Sequence, residues 1–349
     1  MVRSGCCPTR SGLRSGCVDG TRPHPPARIA PRGKPIFVSE GLGFPTDLLE
    51  RRVHLVTGKG GVGRTTVAAA MARLAAVGGK RVLLCEIGDP DGGPSSVGAC
   101  FGKPDLGPDP EPLGPPGLFG CLVWATRGHE LFAHQVIPAG PLIRTALRSE
   151  TLQKFVAAVP SLYELGVFYH LLRLLQETDA QGAPVHEVVV ADMPATGQTL
   201  ALTSLPEVLL DALPDGPIPR YMREGQAYLN DPEKCLAWVV TVPEPLPVTE
   251  AIELVDGLAK THVTTGGLIL NRVPVDPFSP AQREALKPLL AAYSLHGTRA
   301  FHQAEAVGRA RAQITEATSV PVVEAPLLPR AQGATAAEVA AKLAKGWGT

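Results

Sequence analysis

Short, nearly unbroken apolar runs alternate with stretches of helical period along most of this chain. The runs at 53–57, 81–87, 119–125, 187–191, 236–242, 266–270 and 320–323 are rich in Val, Leu and Ile. Continuous apolar character over so few residues predicts parallel strands buried on both faces. Between them, 65–77 sets Val67, Met71 and Leu74 on one stripe and stops at Gly78-Gly79, a helix ending. Ser161 with Glu164 forms a capping box that opens a helix carrying Leu165, Phe168, Leu172 and Leu175 on one face. Ser279, Pro280 and Gln282 predict a second start, and Pro288 predicts that this helix kinks or ends early. Residues 248–259 and 304–315 also read as helices. The alternation predicts an α/β fold: a doubly wound, mostly parallel sheet with helices on both faces. Eight prolines make 88–118 a long, mobile surface loop, and the apolar positions of 126–176 predict a small helical subdomain.

The chemistry concentrates where the first run meets the first helix. There the chain reads Val53-His-Leu-Val-Thr-Gly58-Lys59-Gly60-Gly61-Val62-Gly63-Arg64-Thr65-Thr66. Strand, glycine-rich turn and amphipathic helix follow one another as a phosphate-binding P-loop requires. Glycines 58, 60, 61 and 63 allow successive backbone N–H groups to point inward as an anion nest. The positive end of the helix faces the same spot. Thr65 occupies the position whose hydroxyl ligates Mg²⁺, and Thr66 is placed to donate to a phosphate, so ATP with Mg²⁺ is the expected ligand. Arg64 stands where the ordinary motif has lysine. A planar guanidinium replaces a compact point charge, which spares a cradle made mostly of backbone but puts phosphoryl transfer at risk.

Charge and cysteine content remove other classes. The 33 basic and 33 acidic residues balance, yet seven basic residues and one acid fall in 1–39, which leaves the rest of the chain at −6. An acidic body argues against nucleic acid as the partner. The seven cysteines include no C-x-x-C, and the nine histidines show no ligand spacing, so reduced thiols of a cytoplasmic protein are expected. No run reaches the ~18 apolar residues of a membrane span, and the N-terminus lacks the apolar segment of a secretory signal. Residues 1–45 are expected to be a disordered tail, 46–330 the nucleotide-binding domain, and 331–349 a C-terminal helix or tail.

A second motif narrows the comparison. The segment Val188-Val-Val-Ala-Asp192-Met-Pro-Ala-Thr196-Gly197-Gln198-Thr199-Leu200 resembles the switch II segment, D-x-x-P-T-G-H-T-L, of the ArsA-type anion-transporting ATPases. Pro194 falls one residue early, and Gln198 replaces a histidine. The resemblance extends over 52–330. It implies that Asp192 holds Mg²⁺ through water, that Asn271 ends an adenine-contacting strand, and that Pro326 opens a loop covering the base. It also implies that Asp89 orients the attacking water, although its Asp-Pro falls one residue late. The early lysine, Lys59, marks the deviant Walker A class, in which it reaches the nucleotide of a dimer partner. With Lys59 and Arg64 stabilising phosphate charge and Asp89 catalytic, the resemblance implies an ATPase that switches as a homodimer or as a heterodimer with a paralogue. A membrane-protein or peptide partner is left open, because neither the zinc-clamp cysteines nor a methionine-rich cargo insert of the family is present. Two other readings stay in play: an ATP-binding subunit without turnover, for which Arg64 and the late Asp89 speak, and a partition- or septum-positioning ATPase.

Overall fold

The computed structural model describes residues 51–88, 93–136, 162–274, 278–292 and 298–327. Eight strands form one sheet in the order β3-β4-β2-β5-β1-β6-β7-β8. They are β1 (Val53–Gly58), β2 (Val82–Ile87), β3 (Glu111–Pro112), β4 (Leu118–Val123), β5 (Val188–Asp192), β6 (Cys235–Thr241), β7 (Thr265–Val273) and β8 (Val322–Pro326). All pairings are parallel except that of the two-residue β3 with β4. The helices are α1 (Arg64–Val77), α2 (Ser96–Ala99), α3 (Ala125–Val136), α4 (Leu162–Gln176), α5 (Thr196–Ala212), α6 (Pro217–Leu229), α7 (Pro245–Lys260), α8 (Pro280–Ala292) and α9 (Thr298–Ala317). The doubly wound α/β architecture read from the sequence is the one observed.

Each apolar run is explained by its place. β1 is buried along its whole length between β5 and β6. Alternate strand residues feed two cores. Leu55, Cys85, Ala191 and Val239 meet α4, α5, α6, α7 and α9 on one face, whereas Val56, Leu84, Val190 and Val240 meet α1 and α2 on the other. Helix α1 is buried from Val67 through Ala72. Its alanines combine the strongest helix propensity with side chains small enough for a close approach to the sheet.

Differences from the sequence reading have local causes. β7 runs on to Val273, past the expected end at 270, through an irregularity between Leu270 and Val273 where Arg272 takes a φ of 58°. Pro288 lies inside α8 and does not end it. The predicted start of that helix is observed: Ser279 N donates to Gln282 Oε1 at 2.8 Å and Gln282 N to Ser279 Oγ at 3.3 Å. The described part of 88–118 is anchored and not merely a surface loop, because Leu106 and Leu113 are buried and α2 is capped by Ser95. In the expected helical subdomain, α3 and α4 cross at Gly128 and Gly166, where a Cβ on Gly128 would lie 1.7 Å from the Gly166 carbonyl oxygen. Helix α4 then joins the main core through Leu165, Phe168, Leu172 and Leu175. Ser161, the tails at 1–45 and 331–349, and Asp89 lie outside the described residues.

Candidate functional site

The C-terminal ends of the central strands converge on the turn between β1 and α1, as ligand sites do in open parallel sheets. Gly58 closes β1 with a φ of 146°, and a Cβ there would stand 2.2 Å from the Val240 carbonyl oxygen. No side chain fits between loop and strand. Gly63 is the residue before α1 and is left-handed, with φ 95° and ψ 26°. No side chain caps this helix and no acid lies in its first turn. The first-turn N–H groups and the positive helix end are therefore directed at the loop without a competing carboxylate.

Thr65, in that first turn, donates its hydroxyl to Asp192 Oδ2 at 2.6 Å. Asp192 closes β5, is 7% exposed, and has no partner for its Oδ1. Burial pushes its carboxyl up to about 6; the Thr65 hydrogen bond and Arg64 oppose that shift, and Glu86 adds to it. A buried carboxylate with one oxygen unsatisfied is costly by itself, since buried polar groups ordinarily find partners. A divalent cation beside Thr65 would satisfy it, and carboxylate, hydroxyl and phosphate oxygens are the donors that Mg²⁺ takes. The residues present therefore fit Mg²⁺.

The other expected site residues surround this pair. Arg64 donates from Nη1 to the Met193 carbonyl at 2.8 Å, one residue beyond Asp192. Thr199, in α5, donates to the Pro194 carbonyl and hydrogen-bonds Thr57 at the end of β1, each at 2.9 Å. The segment after Asp192 is thus tied to both strand and loop. Lys59 forms an ion pair with Glu250 of α7 at 2.6 Å. Asn271 is buried, and its Nδ2 donates to the Val62 carbonyl at 2.8 Å. Arg272 Nη2 donates to the Gly61 carbonyl at the same distance. Pro326 pairs in register with Val273, so the ends of β7 and β8 lie side by side at the edge of the loop. Gly60 and Gly61 are exposed there, and Thr66 is half-buried in the second position of α1's TT pair.

Residues 51–215 match the model of the anion-transporting ATPase family, ArsA ATPase. That segment, a little under half of the chain, is similar to the anion-transporting ATPases. It contains the loop, Thr65 and Asp192, whereas Asn271 and Pro326 lie beyond it. The ATPase BagA of Mycobacterium tuberculosis (strain H37Rv) is 28% identical over 244 residues, covering 66% of this chain and 68% of that protein. The uncharacterized protein SCO2128 of Streptomyces coelicolor is 36% identical over 165 residues, 46% of this chain and 39% of that protein.

Two residues beside the site, Glu86 and Glu250, were not singled out from the sequence. Glu86 is the acid in the otherwise apolar run of β2, Val-Leu-Leu-Cys-Glu-Ile, and a charge at the C-terminal end of a buried strand was the available signal. Glu250 lies in α7, and nothing in its spacing showed that Lys59 would reach it. No group of three or more His, Cys, Asp or Glu side chains that would hold a metal by themselves occurs among the described residues. A cation here would draw the rest of its shell from water and phosphate oxygens. Among the described residues no helix is long and apolar enough to cross a membrane.

Proposed function

We propose that this protein binds ATP with Mg²⁺ and hydrolyses it slowly, cycling between an open form and a closed dimer. The observation that carries the reading is the Thr65–Asp192 pair at an uncapped helix start, with Asp192 Oδ1 unsatisfied. Backbone N–H groups of 58–66 receive the phosphates, and Thr65 and Asp192 hold the cation, which supplies charge neutralisation at the transferring phosphoryl group. Asp89 orients the attacking water. Arg64 leaves the Met193 carbonyl for the phosphates, because a guanidinium bonds an anion more strongly than a neutral carbonyl. Its release removes the tie between the loop and Met193 while Thr199 still holds Pro194, so occupancy at the phosphates is felt by the segment leading into α5. Lys59 leaves Glu250 to reach the partner protomer's nucleotide. The family match of 51–215 and the ATPase named among its relatives support the activity. The test is phosphate release from ATP by wild type, Lys59→Ala and Asp89→Asn. Equal rates in all three would refute the mechanism, and an absence of heat with ADP or ATP plus Mg²⁺ in calorimetry would refute the site.

A second reading has its own support. Arg64 and Asn271 are both engaged by the protein's backbone, at Met193 and Val62. A protein that holds ATP without cleaving it, as one half of a heterodimer, would keep both contacts. Full ATP affinity with no turnover, together with a gain of turnover in Arg64→Lys, would favour it.

A further inference from the structure

Glu86 and Asp192 are partners in the β2–β5 register, on strands that end side by side. Neighbouring residues fix the face on which they lie: Leu84 and Val190 are in the core under α1, whereas Cys85 and Ala191 are in the opposite core. Because side chains alternate along a strand, Glu86 and Asp192 fall on the α1 side, where Thr65 is.

The Glu86 carboxylate is held from one side. Its Oε2 accepts from Ser95 Oγ at 2.5 Å and from Val97 N at 3.0 Å, and its Oε1 accepts from Ser96 N at 3.2 Å. A carboxylate offers about four acceptor positions, so Oε1 keeps one after these three are filled. The register partner of that carboxylate, Asp192, carries the unpartnered Oδ1, so the two acids present open acceptor positions to the same space.

We propose that Glu86 is a positioning residue of the magnesium site, using the remaining lone pair of Oε1 to orient the cation's hydration shell beside Asp192. The inference rests on the Mg²⁺–nucleotide reading above and deepens it: this site binds its cation with two carboxylates, one direct partner of Thr65 and one acting through water. Mg²⁺ dehydrates reluctantly and keeps several waters, so an acid that holds those waters contributes to affinity without touching the metal.

The experiment is an Mg²⁺ titration of ADP binding by calorimetry on the full chain, with wild type, Glu86→Gln, Glu86→Asp and Ser95→Ala. Expected is a rise of roughly tenfold in the Mg²⁺ concentration for half-saturation in Glu86→Gln. Partial recovery in Glu86→Asp, a wild-type Mg²⁺ half-saturation in Ser95→Ala and unchanged ADP affinity without Mg²⁺ complete the expected pattern. If Glu86 only caps α2, Glu86→Gln and Ser95→Ala will both melt at lower temperature with the wild-type half-saturation, and the assignment is overturned. Should Glu86→Gln not fold, an unchanged half-saturation in Glu86→Asp overturns it equally. A wild type that binds ADP identically with and without Mg²⁺ removes the metal site, and one that binds no ADP removes the functional reading itself.

Discussion

Thr65 carries two burdens that a single substitution separates from the fold. Its hydroxyl supplies the one partner that Asp192 Oδ2 has among the described hydrogen bonds, and Oδ1 has none. Thr65→Ala leaves both oxygens of a buried acid unsatisfied, a loss of about 1–3 kcal/mol of stability that urea unfolding would register. Thr65→Ser restores the hydroxyl and is expected to recover most of it. The same pair of variants separates in ADP calorimetry, where the alanine form should no longer respond to Mg²⁺ and the serine form should. At Gly63 the constraint is steric as well as conformational. An alanine there requires an L residue at φ 95° and places its Cβ 2.4 Å from Asn271 Nδ2. Gly63→Ala is therefore expected to displace Asn271 from the Val62 carbonyl and to weaken nucleotide binding, read as a shifted thermal midpoint and a reduced binding heat.

At the level of elements, helix α7 matters to the loop more than its position in the chain suggests. It begins after β6, five strands along the chain from β1, yet delivers Glu250 to Lys59. Both side chains are about one-third exposed, so the pair is easily exchanged for water or another anion. If Lys59 serves a partner protomer, Glu250 is its resting place. Glu250→Gln should then shift nucleotide-dependent dimerisation to lower protein concentration in sedimentation velocity, and Lys59→Ala should abolish it. The elements themselves were largely legible from pattern. β1, β2, β5 and β6 are buried on both faces, and their apolar runs locate them within a residue or two. β3 was not legible, because two exposed residues, Glu111 and Pro112, carry no period. Nor was the extension of β7 to Val273, which passes through the polar Asn271 and Arg272 and a positive φ. In the site, Thr65 and Asp192 could be placed because a motif fixes their positions relative to strand ends. Glu86 and Glu250 could not, since their relevance depends on strand order and on a contact between residues 191 positions apart.

For the whole molecule, acid sensitivity follows from two buried imidazoles. His170 and His186 are nearly inaccessible, and burial lowers each to about 4; Arg52 and Arg81 add to the effect at His186. His170 Nδ1 also accepts from Trp124 N, which requires its neutral form on that nitrogen. Between pH 6.5 and 4 the unfolded chain binds protons that the folded chain does not, so stability is full above 6.5 and falls as pH drops through this window. The loss is on the order of 2 kcal/mol per ring by pH 5. Urea midpoints at pH 7 and pH 5 would show it. His186→Phe, which keeps a ring against Phe119, should lose visibly less between those two conditions.

The staple formed by Asn271 and Arg272 has a consequence for how a ligand is greeted. Two carbonyls of the loop, at Gly61 and Val62, are already drawn toward β7, which turns the neighbouring peptide N–H groups the other way. The nest is moulded during folding, not on arrival, so a fragment as small as inorganic pyrophosphate meets a finished receptor and should compete with ADP without the adenosine half to guide it.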